Sequence, residues 1–250
     1  MLIVSTSCFK WYWLHKIFKL VSLSWYDWLN LDLSPVDFDT ENILYIKELS
    51  QTFKVPVVSI SAYERKMDNN TVDFIIQMAR ELWSKSINFY PPHRLDKDNS
   101  WFSNYLPKIK EKNPDLNINI MNVEPKTFLF FIPEYKDATL STIKKITNET
   151  ALVVSNVDPS SWIDLLKTFS LLWNSIKNVY LSDKSWNKQD MFLWKWDMPL
   201  RDLLWKLNDN WYSWLFTLKI NPKEILAGKD DQVLVKLLEA KEFFLKHFKI

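Results

Sequence analysis

Short apolar runs alternate along the chain with longer stretches in which apolar residues recur at helical spacing. LIVST (2–6), LNLDL (29–33), VPVVSI (55–60), SINFY (86–90), INIMNV (118–123), ALVVSNV (151–157), IKNVYL (176–181) and LFTLKI (215–220) read as strands. Helical stretches fall near 14–24, 40–53, 71–82, 101–112, 138–146, 161–172, 199–209 and 230–248. Asp230, just after Gly228, reads as a helix cap, and Pro199 suits a first helical turn. Continuous β-branched runs separated by helices imply a parallel sheet buried on both faces. Eight such units in 250 residues predict an α/β protein, a (β/α)8 TIM barrel forming one domain over residues 1–250. A doubly wound open sheet is the alternative. No linker or domain boundary interrupts the pattern.

The junctions carry an anomaly. WYDWLNLD (25–32) and WYSWLFTL (211–218) are near-repeats, each placed where a helix ends and a strand begins. Trp83 in RELWSKSINFY and Trp173 in SLLWNSIKNVY hold the same kind of place. A helix end wants a residue that tolerates positive φ, which favours glycine and penalises an indole. Composition makes the anomaly sharper: the chain has one glycine and fourteen tryptophans, where glycine alone is normally about 7%. The two together make 6% of the chain, close to an ordinary glycine share. Some bacterial lineages read UGA as glycine where a common translation table reads tryptophan. The sequence therefore predicts glycine at 11, 13, 25, 28, 83, 162, 173, 186, 194, 196, 205, 211 and 214, with Trp101, which sits at no junction, a true tryptophan. The 28 lysines against 4 arginines fit an AT-rich genome. The alternative is a truly tryptophan-rich protein that binds carbohydrate or a membrane interface, but its aromatic positions form no stripe.

Charge narrows the partners. The net charge is +2 with both signs interspersed, so the chain lacks the basic face of a nucleic-acid binder. Cys8 alone excludes an internal disulfide, and three histidines with one thiol cannot build a Cys/His zinc site. A reducing cytoplasm is the expected compartment. The opening MLIVSTSCFKWYWLHKIFKLVSL reads as a buried strand and a helix, with no membrane-length apolar run and no signal-peptide layout. An interfacial amphipathic helix over 9–20 is the other reading.

In a barrel of this kind the chemistry sits on the loops after the strands. Those positions hold Ser7, Asn30 with Asp32, Ser61 with Tyr63, Tyr90 to Arg94, Asn122 with Glu124, Asn156 with Asp158, Tyr180 with Asp183, and Lys219 with Asn221. Some of these polar residues would only cap the following helices. No dinucleotide or phosphate-loop glycine pattern appears, even with glycine restored.

With glycine restored, WYDWLNLDL resembles the second strand of the xylose isomerase-like TIM barrels. IKNVYLSDKS with LWKWDMPLRDLL resembles their strand-seven segment, and WYSWLFTLKINP their closing strand. WSKSINFYPP and VDPSSW are similar to the fourth and sixth strands. The superfamily includes sugar-phosphate isomerases and epimerases and endonuclease IV. The resemblance implies divalent metal held by Glu, Asp, His and Glu, with carboxylates moving protons on a carbonyl or enediolate. The carry-over is incomplete. Asn30 stands for the second-strand acid, Tyr90 for the fourth-strand histidine, Ser161 and Tyr180 for later histidines, and Lys219 for the last glutamate. Asp158 keeps its place, and Glu124 competes with Asn122 for the strand-five ligand. One divalent cation, Mg²⁺ or Mn²⁺, on Glu124 and Asp158, or no metal, are the open alternatives.

The expected function is that of a sugar or sugar-phosphate isomerase or epimerase with a degenerate metal site. Glu124, Asp158 and Asp183 are the acid/base candidates, and Lys219 the electrophile that replaces the metal. Asn30, Tyr90, Asn122 and Tyr180 are candidate substrate-binding residues, with His93 and Arg94 placed to hold a phosphate or carboxylate. His15 and His247 read as structural. The alternative is a non-catalytic barrel that binds a small sugar, a nucleotide or a partner protein. A DNA repair enzyme of the endonuclease IV type fits poorly, and a Schiff-base aldolase rests on Lys219 alone. The expected partner is a small molecule, with no nucleic acid and no membrane.

Overall fold

The computed structural model describes residues 1–250 apart from 36–37, 97, 130, 159–161, 187, 194–197 and 249–250. Ser161, Trp194 and Trp196 thus lie outside the described residues. The strands in chain order are β1 (Leu2–Ser5), β2 (Leu29–Asp32), β3 (Val57–Ser61), β4 (Ser86–Phe89), β5 (Asn117–Met121), β6 (Thr127–Phe128), β7 (Ile132–Pro133), β8 (Thr150–Val153), β9 (Ile176–Leu181), β10 (Asp183–Ser185), β11 (Lys188–Met191) and β12 (Leu215–Leu218). Eight of them close into a barrel in the order β1-β12-β9-β8-β5-β4-β3-β2, all neighbours parallel. The register Leu2↔Phe216 and Val4↔Leu29 seals the first strand between the last and the second. Closure excludes the doubly wound alternative, and the chain has the (β/α)8 TIM-barrel fold.

The outer helices are α1 (Leu14–Leu23), α2 (Ile43–Phe53), α3 (Asn69–Leu82), α4 (Leu106–Lys112), α5 (Leu140–Thr147), α6 (Trp162–Leu172), α7 (Leu200–Asp209) and α8 (Asp230–His247). Side-chain caps set several starts: Asn42, Asp68 and Thr139 accept from the N–H groups of Tyr45, Thr71 and Thr142. Asp230 departs from its expected role. It begins α8 without capping it, and its carboxylate instead takes hydrogen bonds from Lys16 and the Tyr12 hydroxyl, tying α8 to α1. The apolar face of α1, with Leu14, Ile17, Phe18, Leu20 and Val21, is buried in the barrel wall. That face packs in the barrel rather than against solvent. Among the described residues no helix is long and apolar enough to cross a membrane.

Two features were not legible in the pattern. β6 pairs with β7 and β10 with β11 as antiparallel hairpins on the loops after β5 and β9. The helix expected over 101–112 opens as a π-helical turn, Trp101–Tyr105, with Trp101 and Phe102 buried. Trp101 is 1% exposed, its ring 6.0 Å from Phe89 and 5.5 Å from Phe102. Trp101→Ala is expected to cost about 3–5 kcal/mol through lost burial and the cavity left behind, measurable by denaturant unfolding. A cost below about 1 kcal/mol would mean the wall collapses around the void.

Candidate functional site

The barrel interior is polar, which bears directly on the mouth above it. Asn119 donates to Ser86 Oγ (2.9 Å) and Asn88 Oδ1 (3.0 Å), and Asn88 to Ser59 Oγ (2.9 Å). Asn178 and Thr217 extend the chain of bonds, the Thr217 hydroxyl donating to Asn178 Oδ1 at 2.9 Å. Buried amides are seldom tolerated unpaired, and this network supplies a partner for each of these side-chain groups except Asn119 Oδ1, which is buried without one. One step nearer the mouth, the Asn30 amide donates to Ser5 Oγ (3.2 Å) and Ser61 Oγ (3.0 Å), and the Tyr180 hydroxyl lies 2.7 Å from Ser61 Oγ. Asn30 and Tyr180 are sealed from solvent, so they form the floor of the mouth.

Lys219 stands on that floor, directly after β12. Its Nζ lies 3.7 Å from Asp190 Oδ2, and its side chain is 19% exposed. Burial alone would lower its pKa, but Asp190, Tyr90, Asp32 and Tyr180 oppose that and raise it well above the usual lysine value. Burial pushes the Tyr90 phenol up to about 12 against the pull of Lys219, and burial likewise raises Tyr180. Both phenols are therefore neutral near pH 7, and the carboxylates carry the stabilisation of the ammonium. Asp190 is held in place by the hydroxyls of Ser155 (2.6 Å) and Ser182 (3.2 Å), which donate to its Oδ1. Asp190 sits on the β10–β11 hairpin at φ +54°, folded back over the mouth. With glycine at 186 the stretch SDKSWNKQDM holds a Gly-Asn pair, a two-residue hairpin signal that the strand and helix periodicity passes over, so Asp190 is absent from the sequence-derived site residues.

A second cluster lies to one side. Glu124, Asp158, Lys126, Lys184 and Gln189 line a pocket of about 420 Å³. Lys184, 3% exposed at its side chain, donates to Glu124 Oε1 at 2.7 Å and to the Val157 carbonyl at 3.2 Å. Lys126 lies 2.9 Å from Glu124 Oε2, and Gln189 donates to that oxygen at 3.1 Å. Burial would raise the Glu124 carboxyl, yet the bonds from Lys184 and Lys126 outweigh it and leave it below the ordinary value. Gln189 and Asp190 are adjacent, so one strand, β11, feeds both clusters.

The remaining sequence-derived residues go elsewhere. Asp183 is fully buried, and its Oδ1 accepts from the backbone N–H groups of Lys184 (2.8 Å) and Met198 (3.1 Å). Asn122 mimics a strand partner, accepting from Val153 N (2.6 Å) and donating to Val153 O (3.1 Å). His93 is buried with Nε2 3.3 Å from Glu134 Oε1, and Arg94 Nε donates to the Pro133 carbonyl. That pair pins the β6–β7 hairpin to the loop after β4. The other two histidines pack on rings, His15 against Phe53 and His247 against Phe243.

No protein-family model matches the chain, and no curated protein matches it in sequence. Solved structures do match. A D-tagatose 3-epimerase-like protein superposes with TM-score 0.66 at 15% identity, covering 97% of this chain and 98% of its own. A xylose isomerase domain containing protein from Salmonella typhimurium gives 0.69 at 11%, covering 98% and 97%. An AP endonuclease, family 2, from Brucella melitensis gives 0.65 at 12%, covering 89% and 93%. The chain shares the (β/α)8 TIM-barrel fold of these structures.

The resemblance to xylose isomerase-like barrels implies a divalent cation, and the side chains here do not fit one. Glu124 and Asp158 share a pocket, but both Glu124 oxygens already face ammonium groups. A dication placed there would meet two positive charges at close range. Lys219 makes the same objection at the centre of the mouth. Among the described residues no group of three or more His, Cys, Asp or Glu is arranged to hold a metal ion.

Proposed function

We propose that the protein is an isomerase or epimerase of a small sugar or sugar phosphate in which Lys219 takes the electrophilic role of a metal. The observation that supports this reading is the partly buried Lys219 ammonium held beside Asp190 at the mouth of a barrel whose structural neighbours include an epimerase-like protein. A permanently charged amine stabilises negative charge that develops on a carbonyl oxygen, which is what enolisation requires. Asp190, or Asp32 across the mouth, removes the proton from the carbon next to the carbonyl. The enediolate is then reprotonated on the opposite face for epimerisation, or at the neighbouring carbon for isomerisation. Tyr90, neutral and half-buried, is placed to donate to a substrate hydroxyl. Two carboxylates against one ammonium favour an uncharged polyol at the centre. The raised pKa of Lys219 argues against a Schiff-base aldolase, which needs the free amine.

The test is deuterium incorporation from D₂O into a panel of ketoses and aldoses, followed by NMR with and without EDTA. Incorporation that survives EDTA is the expected result. Activity that EDTA removes and Mn²⁺ or Mg²⁺ restores would overturn the role given to Lys219. The non-catalytic reading keeps one observation, the Lys219–Asp190 pair itself. Saturable sugar binding by calorimetry with no exchange would favour it.

A further inference from the structure

Three tryptophans occupy left-handed positions after helices, where glycine meets no Cβ penalty. Lys54 and Asn148 close helices at the same angles, but among the described residues no left-handed one other than tryptophan carries a side chain as bulky as an indole. Trp83 closes α3 at φ +59°, with Trp83 N bonded to Arg80 O and Ser84 N to Ala79 O at 2.9 Å. Trp211 follows α7 at φ +57°, with Trp211 N bonded to Asn208 O and Tyr212 N to Leu207 O, both at 3.0 Å. Both are Schellman closures, in which the left-handed residue after the helix is most often glycine. Trp25, just after the end of α1, lies at φ +61°. Trp11, ahead of that helix, adds a fourth case at φ +83°. An L-residue meets a Cβ penalty throughout this region, and a bulky one has no local hydrogen bond to offset it.

The indoles at these places do nothing for the core. Trp11, Trp25, Trp83 and Trp211 are 69, 75, 82 and 90% exposed, and Trp13, Trp186 and Trp205 exceed half exposure as well. Trp101 is 1% exposed. A real tryptophan buries its large apolar area or joins a patch, and among the described side chains only Trp101 is sealed in this way. Trp173, which packs against Phe169 and Tyr212, and Trp214, which lies under the Lys177 ammonium, have partners but still sit at helix-to-strand junctions.

We infer that the native polypeptide carries glycine at 11, 25, 83 and 211, because its cell reads UGA as glycine. The same codon then places glycine at 13, 28, 162, 173, 186, 194, 196, 205 and 214. Two consequences reach the site. The Trp186 indole on the rim of the Glu124–Lys184 pocket is absent from the native protein, so that pocket is wider and polar. No aromatic platform stacks a ligand there.

Peptide mass spectrometry of the protein from its native source tests this, with the gene's own codons read alongside. The tryptic peptides ELWSK (81–85), DLLWK (202–206) and LNDNWYSWLFTLK (207–219) are expected at glycine masses, and DNSWFSNYLPK (98–108) at its tryptophan mass. Position 205 is the discriminating one, because it lies inside α7, where backbone geometry gives no reason for glycine. Glycine there marks a codon-wide rule. Tryptophan at 83 or 211, or UGG codons at those positions, would overturn the inference. Tryptophan at 205 beside glycine at 83 would overturn the codon rule, and glycine at 101 would overturn the exception.

Discussion

Lys219→Met is expected to lower kcat for the proposed isomerase or epimerase reaction by about 10²–10³-fold, the usual effect of removing one preorganised electrostatic stabiliser. The fold is expected to survive. Asp190 keeps its bonds from Ser155 and Ser182 when the ammonium is gone, and methionine fills much of the same space. Circular dichroism and a melting curve separate lost chemistry from lost structure, and Asp190→Asn gives an independent reading of the same pair. The pH profile carries a signature. The folded pKa of Lys219 lies well above 10.5, so the stabilisation that charge supplies is fully present below the unfolded value and is lost only as pH rises through the folded one. Between about pH 6 and 9 the wild-type profile therefore shows no limb from Lys219. An alkaline rise in kcat/KM near pH 8 that disappears in Lys219→Met would make the free amine the active form and reopen the Schiff-base route. An unchanged kcat in Lys219→Met would remove Lys219 from the mechanism.

The second large effect is on stability. Replacing the tryptophans at 11, 25, 83 and 211 together by glycine is expected to raise the melting temperature of the recombinant tryptophan form by on the order of 10 °C. Each left-handed position costs a residue with a Cβ about 1–2 kcal/mol, and for a chain of 250 residues each 1 kcal/mol corresponds to about 2–4 °C. Glycine also loosens the unfolded chain, which offsets part of the gain. Trp205→Gly is the control with the opposite sign. It sits in the interior of α7, where glycine costs about 1 kcal/mol in helix propensity relative to the best formers. A melting temperature for the fourfold variant equal to or below that of the tryptophan form would show that the indoles contribute packing the exposed surface does not reveal.

How the sequence relates to this structure can be argued from single elements. IKNVYL was read as a strand over 176–181 and is one, Ile176–Leu181, because a β-branched run buried on both faces leaves no competing assignment. The junction at Trp83 reads as a left-handed helix end and has φ +59°, because the apolar pattern stops there and the next strand begins three residues on, at Ser86. Trp101 was set apart as a true tryptophan by its place away from any junction, and it is sealed in the core. Barrel topology followed from the count and spacing of the βα units, a property of local patterns that repeat.

The site was only partly legible. Lys219 was identified because it directly follows a strand, and strand ends converge in a barrel. Its partner was not. Asp190 reaches Lys219 because β10 and β11 fold back over the mouth; a glycine at 186 followed by asparagine signals the turn, but nothing local says where the polar hairpin will lie. Lys184 was likewise invisible, since a lysine in a loop looks solvated until the fold buries it against Glu124. Asn122, His93 and Arg94 look like ligand groups in the sequence, yet their donors and acceptors are directed to backbone and carboxylate partners. The chain by itself therefore determined the barrel, its helix ends and the cation at the mouth, because these depend on periodicity and on backbone angles. Which charges meet was decided by tertiary structure alone, because pairing depends on where loops far apart in sequence return, and local pattern carries no record of that distance.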